Sequence, residues 1–155
     1  MKVIRIDSDT NAPIAGALIA DSAIRPHRRP LFLPDGEWVC EIRPAVRIER
    51  LGKAIPAKFA RRYYTHYCLV NCLRPMTNER FTDSITDDTI VAGDLLPIEG
   101  SDIDTGQVDS LIERLSHSAT FKTGDLIILP AILKKYTPEI DQTVNINNNL
   151  EFTIK

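Results

Sequence analysis

The sequence predicts an α+β fold in which a mostly antiparallel β assembly dominates and two or so helices pack against it. Short apolar segments with a period of two recur along the 155 residues at hairpin-length spacings. Helical periodicity is confined to two segments, 57–64 and 107–117. No internal repeat or low-complexity linker divides the chain, so we expect a single domain over residues 1–155.

The composition is that of an ordinary globular protein, with 43% hydrophobic and 26% charged residues. A net charge of -2 argues against a nucleic-acid partner. No apolar run approaches the ~20 residues that span a bilayer, so no membrane partner is expected. The N-terminus lacks an apolar run of signal-peptide length and reads as a strand, which favours a cytoplasmic protein.

The N-terminal residues 1–29 predict a hairpin and the start of a loop. Residues 2–6 alternate, and the apolar stretch 14–24 supplies a second strand after a wide connection. Three prolines in 25–34 exclude a helix and a central strand. This loop is locally basic, and we expect His27 to be exposed, although such a loop could also rim an anion site.

The segment Trp38–Gly52 contains the predicted central strand of the fold. Its alternation places four apolar side chains on one face: Cys40, Ile42, Val46 and Ile48. The other face carries four charges: Glu41, Arg43, Arg47 and Glu49. Such a face is either a solvated set of ion pairs or the wall of a pocket.

In the pocket interpretation, Arg43 and Arg47 bind a small dicarboxylate together, with Glu41 also in the lining. The two arginines point the same way and are ~13 Å apart along the strand, a distance from which long side chains can converge. Glu41 lies two residues from Arg43, and we expect these two to form an ion pair. Glu49 could neutralise Arg47, which is the competing outcome.

The middle of the chain predicts a helix followed by a strand. Pro56 opens the helix 57–64, at a position where its missing N–H costs nothing. Phe59 and Tyr63 form the inward stripe, to which Ala60 could also belong. The strand Tyr67–Leu73 follows, with Cys68, Val70 and Cys72 on one face.

The last third predicts one helix and several strands. Residues 90–92 and 95–96 are short strands or extended loop, and a capping box at 104–107 precedes the helix Gln107–His117. A turn that keeps Lys122 and Asp125 at the surface leads into the strand 126–129. A terminal hairpin closes around Asn147–Asn149, because asparagine tolerates the left-handed conformation.

Of the three cysteines, Cys40, Cys68 and Cys72, at least two are expected to be reduced and buried. Their odd number argues against a disulfide framework, and the spacing of Cys68 and Cys72 is wrong for a zinc pair. A nucleophilic Cys72 acting with His66 is the alternative.

Several segments, in order, resemble the fumarylacetoacetate hydrolase family. Residues 116–127 (SHSATFKTGDLI) are similar to the family's serine, threonine-leucine and Pro-Gly-Asp-Leu-Ile run. Residues 60–73 resemble its Ala-x-x-Tyr … Tyr-x-x-x-Asn-Asp stretch, and the central strand with Gly52-Lys53 resembles Glu-x-Glu-Leu-Ala-x-x-Ile-Gly. Phe81–Ser84 with Gly93-Asp94 is a weaker match. The resemblance runs from about residue 30 to the C-terminus and is weak over 1–29.

The resemblance implies a homodimeric, Mg²⁺- or Mn²⁺-dependent fold that acts on dicarbonyl and oxo-acid substrates. In the family, two strand glutamates and the aspartate after the asparagine hold the metal. These positions are Glu41, Arg43 and Cys72 here, so only the first ligand is kept. An arginine puts positive charge where a cation should lie, and a thiol is a poor ligand for Mg²⁺.

We therefore expect a degenerate metal site without a metal cofactor, and a protein that binds a small oxo-acid or dicarboxylate with lost or altered catalysis. The family's Gly-Thr-Pro segment, which helps to hold the substrate carboxylate, is also replaced here. The alternative is an active Mg²⁺- or Mn²⁺-dependent hydrolase, isomerase or decarboxylase with a rebuilt metal site. Asp83, Asp87 and Asp88 are the nearby carboxylates, in a loop where we expect them to be solvated.

Overall fold

The computed structural model describes residues 1–9, 14–77 and 82–155. Within these ranges the chain forms eleven strands, three α-helices and two 3₁₀ turns. The strands are β1 Val3–Ser8, β2 Ala15–Ile19, β3 Ile24–Pro26, β4 Trp38–Arg47, β5 His66–Pro75, β6 Ile90–Ala92, β7 Leu96–Pro97, β8 Leu126–Ile128, β9 Lys134–Tyr136, β10 Thr143–Ile146 and β11 Leu150–Thr153. The helices are α1 Ala57–Ala60, α2 Thr82–Ile85 and α3 Thr105–Ser116, and the 3₁₀ turns are Asp21–Ala23 and Arg61–Tyr63. None of the described helices is long and apolar enough to cross a membrane.

Nine of these strands form one sheet, in the order β2-β1-β8-β4-β5-β6-β3, with β7 added to β5 and β9 added to β4. The pairs β1–β8 and β3–β6 are parallel, and the other described pairs are antiparallel. β10 and β11 form a separate hairpin. The predicted α+β fold with a mostly antiparallel β assembly is therefore confirmed.

The long antiparallel pair β4–β5 lies at the centre of the sheet and is buried on both faces. Its register runs from Trp38 opposite Pro75 to Val46 opposite Tyr67. One face packs under the β10–β11 hairpin and includes Cys40, Ile42, Leu69, Leu73, Val144, Leu150 and Phe152. The other face packs with N-terminal residues and includes Ala45, Cys68, Val70, Cys72, Val3, Ile19 and Ala23. The interpretation of the charged face of the central strand as a solvated set of ion pairs is wrong, because other segments of the protein cover both faces of β4.

The helix α3 begins where the sequence predicted a cap. The carboxylate of Asp104 accepts a hydrogen bond from the amide of Gln107 at 3.1 Å. Its buried stripe of Val108, Leu111 and Ile112 packs on Val46 and other core residues near the end of β4. The terminal hairpin is also confirmed, and Asn147 and Asn148 adopt φ values of 51° and 61° in its turn.

The predicted helix 57–64 is shorter and faces differently. α1 ends at Ala60, and a 3₁₀ turn follows. Ala60 is buried and Tyr63 packs against the core as predicted, but the fully buried aromatic residue is Tyr64 and not Phe59. Phe59 is 37% exposed, with the charged ends of Lys58 and Arg62 over its ring. The change to a 3₁₀ turn alters the residue spacing, which is why the 3.6-residue stripe selected the wrong aromatic side chain.

Two residues that were expected at the surface are buried. His27 accepts the amide hydrogen of Glu151 on Nδ1, and its Nε2 lies 2.8 Å from Asp94. Asp125 binds the amides of Lys2 and Lys122. Burial alone would raise the pKa of Asp125, but these bonds and the Lys2 ammonium outweigh it and lower the pKa. Both side chains satisfy backbone N–H groups from distant or turn segments, which the local sequence does not reveal.

The close approach of the terminal hairpin to the sheet requires Gly93. A Cβ atom at this position would lie 2.3 Å from the carbonyl oxygen of Asn149. The neighbouring Asp94 donates its amide to that same carbonyl. Phe81, which belongs to the same weak family match as Gly93 and Asp94, lies outside the described part of the chain.

We expect Asp104→Ala to lower the free energy of unfolding by about 1 kcal/mol, because the substitution removes the capping hydrogen bond of α3. Urea denaturation followed by circular dichroism measures the change. Asp102→Ala is the matched control, because this exposed aspartate makes no described hydrogen bond. Equal losses for the two variants would contradict a specific capping role.

Candidate functional site

The three residues at the family's metal positions lie together inside the sheet. Glu41 pairs with Cys72 across β4 and β5, and Arg43 pairs with Val70 two residues farther along. Directly opposed residues of antiparallel strands share a face, so Glu41, Arg43 and Cys72 point to the same side. All three are buried, with exposures of 6%, 3% and 0%.

Glu41 and Arg43 form the predicted ion pair. The Arg43 Nε donates to Glu41 Oε2 at 3.0 Å, and Arg43 Nη2 lies 2.8 Å from the same oxygen. Arg43 Nη1 donates to the carbonyl of Ile6 at 3.0 Å. All three nitrogens of this guanidinium therefore have acceptors within the protein.

The pair belongs to a larger group of charges, which we call the six-charge cluster: Arg5, Asp7, Glu41, Arg43, Arg74 and Asp83. Asp7 accepts from Arg5 Nε at 3.1 Å and lies 3.2 Å from Arg74 Nη1. Arg74 Nη1 is also 3.6 Å from Glu41. Three arginines face three carboxylates, so the cluster is neutral when every member is ionised.

Asp83 contradicts the expectation that this part of the chain is solvated. It is 1% exposed, and its Oδ2 lies 2.8 Å from both Arg5 Nη1 and Arg74 Nε. The contact with Arg74 Nε lacks hydrogen-bond alignment, and Asp83 Oδ1 accepts no bond from the described residues. The short helix α2 delivers this carboxylate to the cluster. Asp87 is exposed as expected, and Asp88 is paired with Arg25.

Cys72 has the properties of a structural thiol. Burial raises its pKa to about 12, although Arg43 and Arg5 act in the opposite direction. His66 lies at the other end of β5, six residues away, which corresponds to ~20 Å in a strand. The alternative of a nucleophilic Cys72 activated by His66 is therefore wrong, because the two side chains are too far apart for proton transfer.

These residues do not fit a hard divalent cation. Glu41 Oε2 is already in contact with Arg43 and Arg74, and the remaining family positions supply a guanidinium and a protonated thiol. In the part of the chain that the structure describes, no group of three or more His, Cys, Asp or Glu side chains is arranged to hold a metal ion. Mg²⁺ and Mn²⁺ require several oxygen ligands, which this arrangement does not offer.

Arg47 lies apart from Arg43, at the solvent end of β4. Its side chain is 38% exposed, and its Nη2 is 3.7 Å from Glu49. Arg47 lines a shallow depression of about 450 Å³ with Glu49, Thr65, His66, Thr123 and Gly124. Arg43 does not reach this depression, so the expected convergence of the two arginines is not present. The cause is that Arg43 is held inward by Glu41 and the carbonyl of Ile6.

The depression contains a histidine that its neighbours orient. Thr65 donates its hydroxyl to Glu49 at 2.7 Å, and His66 Nδ1 lies 2.8 Å from that hydroxyl and 3.3 Å from Glu49. All of these contacts are satisfied when Nδ1 carries a proton. Burial would raise the pKa of Glu49, but the bonds from Thr65 and His66 lower it. Sequence reasoning had considered His66 only as a partner for Cys72.

A second pocket, of about 340 Å³, lies on the opposite face of β4. Its walls are largely apolar, and they include Pro44, Tyr67, Leu69, Ile103, Leu129 and Leu133. The ionisable residues at its edge are two aspartates, Asp102 and Asp104. An anionic ligand would be repelled there. Arginine side chains line the depression beside Arg47 and also a cavity of about 370 Å³ beside Arg28 and Arg29 of the basic loop. Two hydrogen bonds to Asp94 already occupy the guanidinium of Arg28, so we take the depression beside Arg47 as the candidate anion site.

We expect Arg43→Met to lower the free energy of unfolding by about 3–5 kcal/mol, because it leaves the buried Glu41 without its main partner. Arg47→Met is the matched control and should cost less than about 1 kcal/mol, since Arg47 is partly exposed. Urea denaturation measures both.

The double variant Glu41→Gln/Arg43→Met should be more stable than the sum of the two single changes predicts, because the two groups interact directly. If the decreases in the free energy of unfolding are additive, Glu41 and Arg43 are not energetically coupled.

The fold has clear relatives among solved structures. An Escherichia coli protein described as an isomerase superimposes with a TM-score of 0.80 at 16% identity, over 99% of this chain and 91% of that one. A Yersinia pestis protein described as a fumarylacetoacetate hydrolase family member gives 0.80 at 14% identity, over 99% and 92%. Fumarylpyruvate hydrolase from Pseudomonas aeruginosa, in complex with Mn²⁺ and pyruvate, gives 0.77 at 15% identity, over 100% and 88%.

No protein-family model matches the sequence, and no curated protein sequence matches it. The likeness is thus one of three-dimensional structure, and it extends over almost the whole chain. The chain has the fold of the fumarylacetoacetate hydrolase family, as the resemblance of its segments predicted.

Proposed function

We propose that this chain is a divergent member of the fumarylacetoacetate hydrolase family that works without a divalent cation and binds a small oxo-acid or dicarboxylate, with catalysis lost or altered. The observation that carries the proposal is the guanidinium of Arg43, which lies beside Glu41 inside the six-charge cluster. In the family, that position carries a carboxylate that helps to hold the metal.

Charge balance supports a metal-free state. The three carboxylates of the cluster are neutralised by three arginines that are themselves largely buried. Adding a divalent ion would leave two uncompensated charges in this region, which is costly where water is excluded. A metal ion would have to displace Arg43 from Glu41. Because the side chain of Arg43 is 3% exposed, its charge would then remain buried without that partner.

The ligand class follows from the chemistry of the proteins with the same fold. The Pseudomonas aeruginosa fumarylpyruvate hydrolase holds pyruvate, and maleylpyruvate hydrolase and 5-carboxymethyl-2-hydroxymuconate delta-isomerase are named for reactions of small carboxylic acids. A small carboxylate therefore suits the exposed guanidinium of Arg47.

The second candidate function is a metal-dependent hydrolase, isomerase or decarboxylase of oxo-acids. Two observations favour it: Mn²⁺ is present in the Pseudomonas aeruginosa structure, and Asp7, Glu41 and Asp83 converge on one cluster. It is less well supported, because each of these carboxylates contacts at least one arginine that would have to move before a metal could bind.

We also propose a homodimer, as the family resemblance implies. Sedimentation equilibrium at micromolar concentration should give twice the 17.4 kDa mass of one chain. A single-chain mass that stays constant up to ~100 μM would contradict this expectation.

The metal-free proposal predicts that Mn²⁺ and Mg²⁺ leave the melting temperature of the native protein unchanged. Arg43→Glu should respond differently, because two arginines would then face four carboxylates and the cluster would gain a net charge of -2. This variant should be destabilised without metal and stabilised by Mn²⁺. When the free metal concentration is 100 times the Kd, binding adds about 2.7 kcal/mol to the free energy of unfolding.

Differential scanning fluorimetry and calorimetric titration measure both effects, and Arg47→Glu is the control because it places the same charge outside the cluster. If Arg43→Glu does not fold alone, its refolding yield with and without Mn²⁺ replaces the melting temperature. One Mn²⁺ or Mg²⁺ per native chain, bound tightly enough to survive gel filtration, would overturn the proposal in favour of the metal-dependent enzyme.

A further inference from the structure

We propose that the depression beside Arg47 is a pH-dependent anion site, in which a small carboxylate binds between the guanidinium of Arg47 and the protonated imidazole of His66. This inference rests on the proposed function for its ligand class, and it moves the site away from the family's metal position. The sequence places Arg47 on one strand face with Arg43, and the structure places it in one depression with His66 instead.

The walls of the depression come from three segments that are fixed to one another. The amide of Glu49 donates to the carbonyl of Tyr63 at 2.8 Å, which joins the end of β4 to the residues before β5. The amide of Gly124 donates to the carbonyl of Ile48 at 2.8 Å, and Thr123 Oγ1 donates to the carbonyl of Glu49 at 3.2 Å. Arg47 and His66 are the terminal residues of β4 and β5, and these hydrogen bonds tie the adjoining segments to them.

The orientation of His66 directs one nitrogen to a ligand. Glu49 and Thr65 hold Nδ1, and no described residue bonds Nε2. A neutral imidazole with its proton on Nδ1 offers only a lone pair at Nε2, which an anion does not accept. A protonated imidazole offers an N–H donor at Nε2 and a full positive charge, both of which favour a carboxylate.

The charge of the site depends on that proton. Arg47 and Glu49 cancel, so the depression is neutral when His66 is neutral and carries +1 when His66 is protonated. Histidine is the side chain whose charge ordinarily changes between pH 5 and pH 8. Anion affinity should therefore rise as pH falls through this range.

The other elements near His66 add little charge that titrates in that range. β7 faces it with Pro97. The turn before β8 contributes Thr123 and Gly124 to the lining. The same turn carries the exposed Lys122 and the buried Asp125, which is paired with Lys2. The pH dependence should therefore belong to His66.

Calorimetric titration of the native protein with pyruvate and with malonate at pH 6.0 and pH 8.0 tests the proposal. Both anions should bind at least tenfold more tightly at the lower pH, which corresponds to about 1.4 kcal/mol. Malonamide, the uncharged counterpart of malonate, should not bind at either pH.

Four variants assign the effect to residues. Arg47→Ala should weaken malonate binding at least tenfold at pH 6.0. His66→Gln should bind weakly at both pH values, and His66→Lys, which keeps a positive charge, should retain binding at pH 8.0. Arg50→Ala removes an exposed arginine that does not line the depression, and it should behave like the native protein. Arg47 and His66 have side chains that are 38% and 42% exposed, so these changes should leave the fold intact.

The outcomes separate this inference from the proposed function. If pyruvate or malonate binds but Arg47→Ala and His66→Gln leave the affinity unchanged, the inference is wrong while carboxylate binding stands. If neither anion binds at either pH, the inference and the proposed ligand class both fail. If binding requires added Mn²⁺, the metal-dependent enzyme replaces both.

Discussion

The interaction on which the structure depends is the pairing of charges inside the central sheet. β4 and β5 are buried on both faces, so any charged residue in their middle must find its partners within the protein. Arg43 finds Glu41, and the two are joined by Arg5, Arg74 and their carboxylates from β1 and α2. Removing the charge of one residue from the six-charge cluster would leave an uncompensated charge, whereas the complete cluster is neutral.

This pairing separates two properties that the family's metal site combines. Inside the sheet, ion pairs hold segments of the fold together, and each described carboxylate of the six-charge cluster contacts at least one arginine. At the solvent end of β4, the side chains of Arg47 and His66 are 38% and 42% exposed and line one depression. Under the proposed function, small anions bind at the solvent end of β4, and the buried part of the strand is structural.

Secondary-structure elements were predicted well from the sequence because the interactions that define their ends and faces act between neighbouring residues. The cap at Asp104, the helical stripe that follows it and the asparagine turn of the terminal hairpin each act within a few residues. The ion pair of Glu41 and Arg43 was likewise predictable from their spacing on one strand. The ordered resemblance of several segments identified the fold, which neither composition nor periodicity could do.

The sequence by itself thus determined the strands, the main helix and the family fold. Only the tertiary structure decided which charges are buried. Asp83 and His27 lie in polar segments that read as solvated, yet contacts from residues more than sixty positions away enclose them. Likewise Arg43 and Arg47 share a face in sequence and differ in environment, because burial and pairing depend on which distant elements pack over each position.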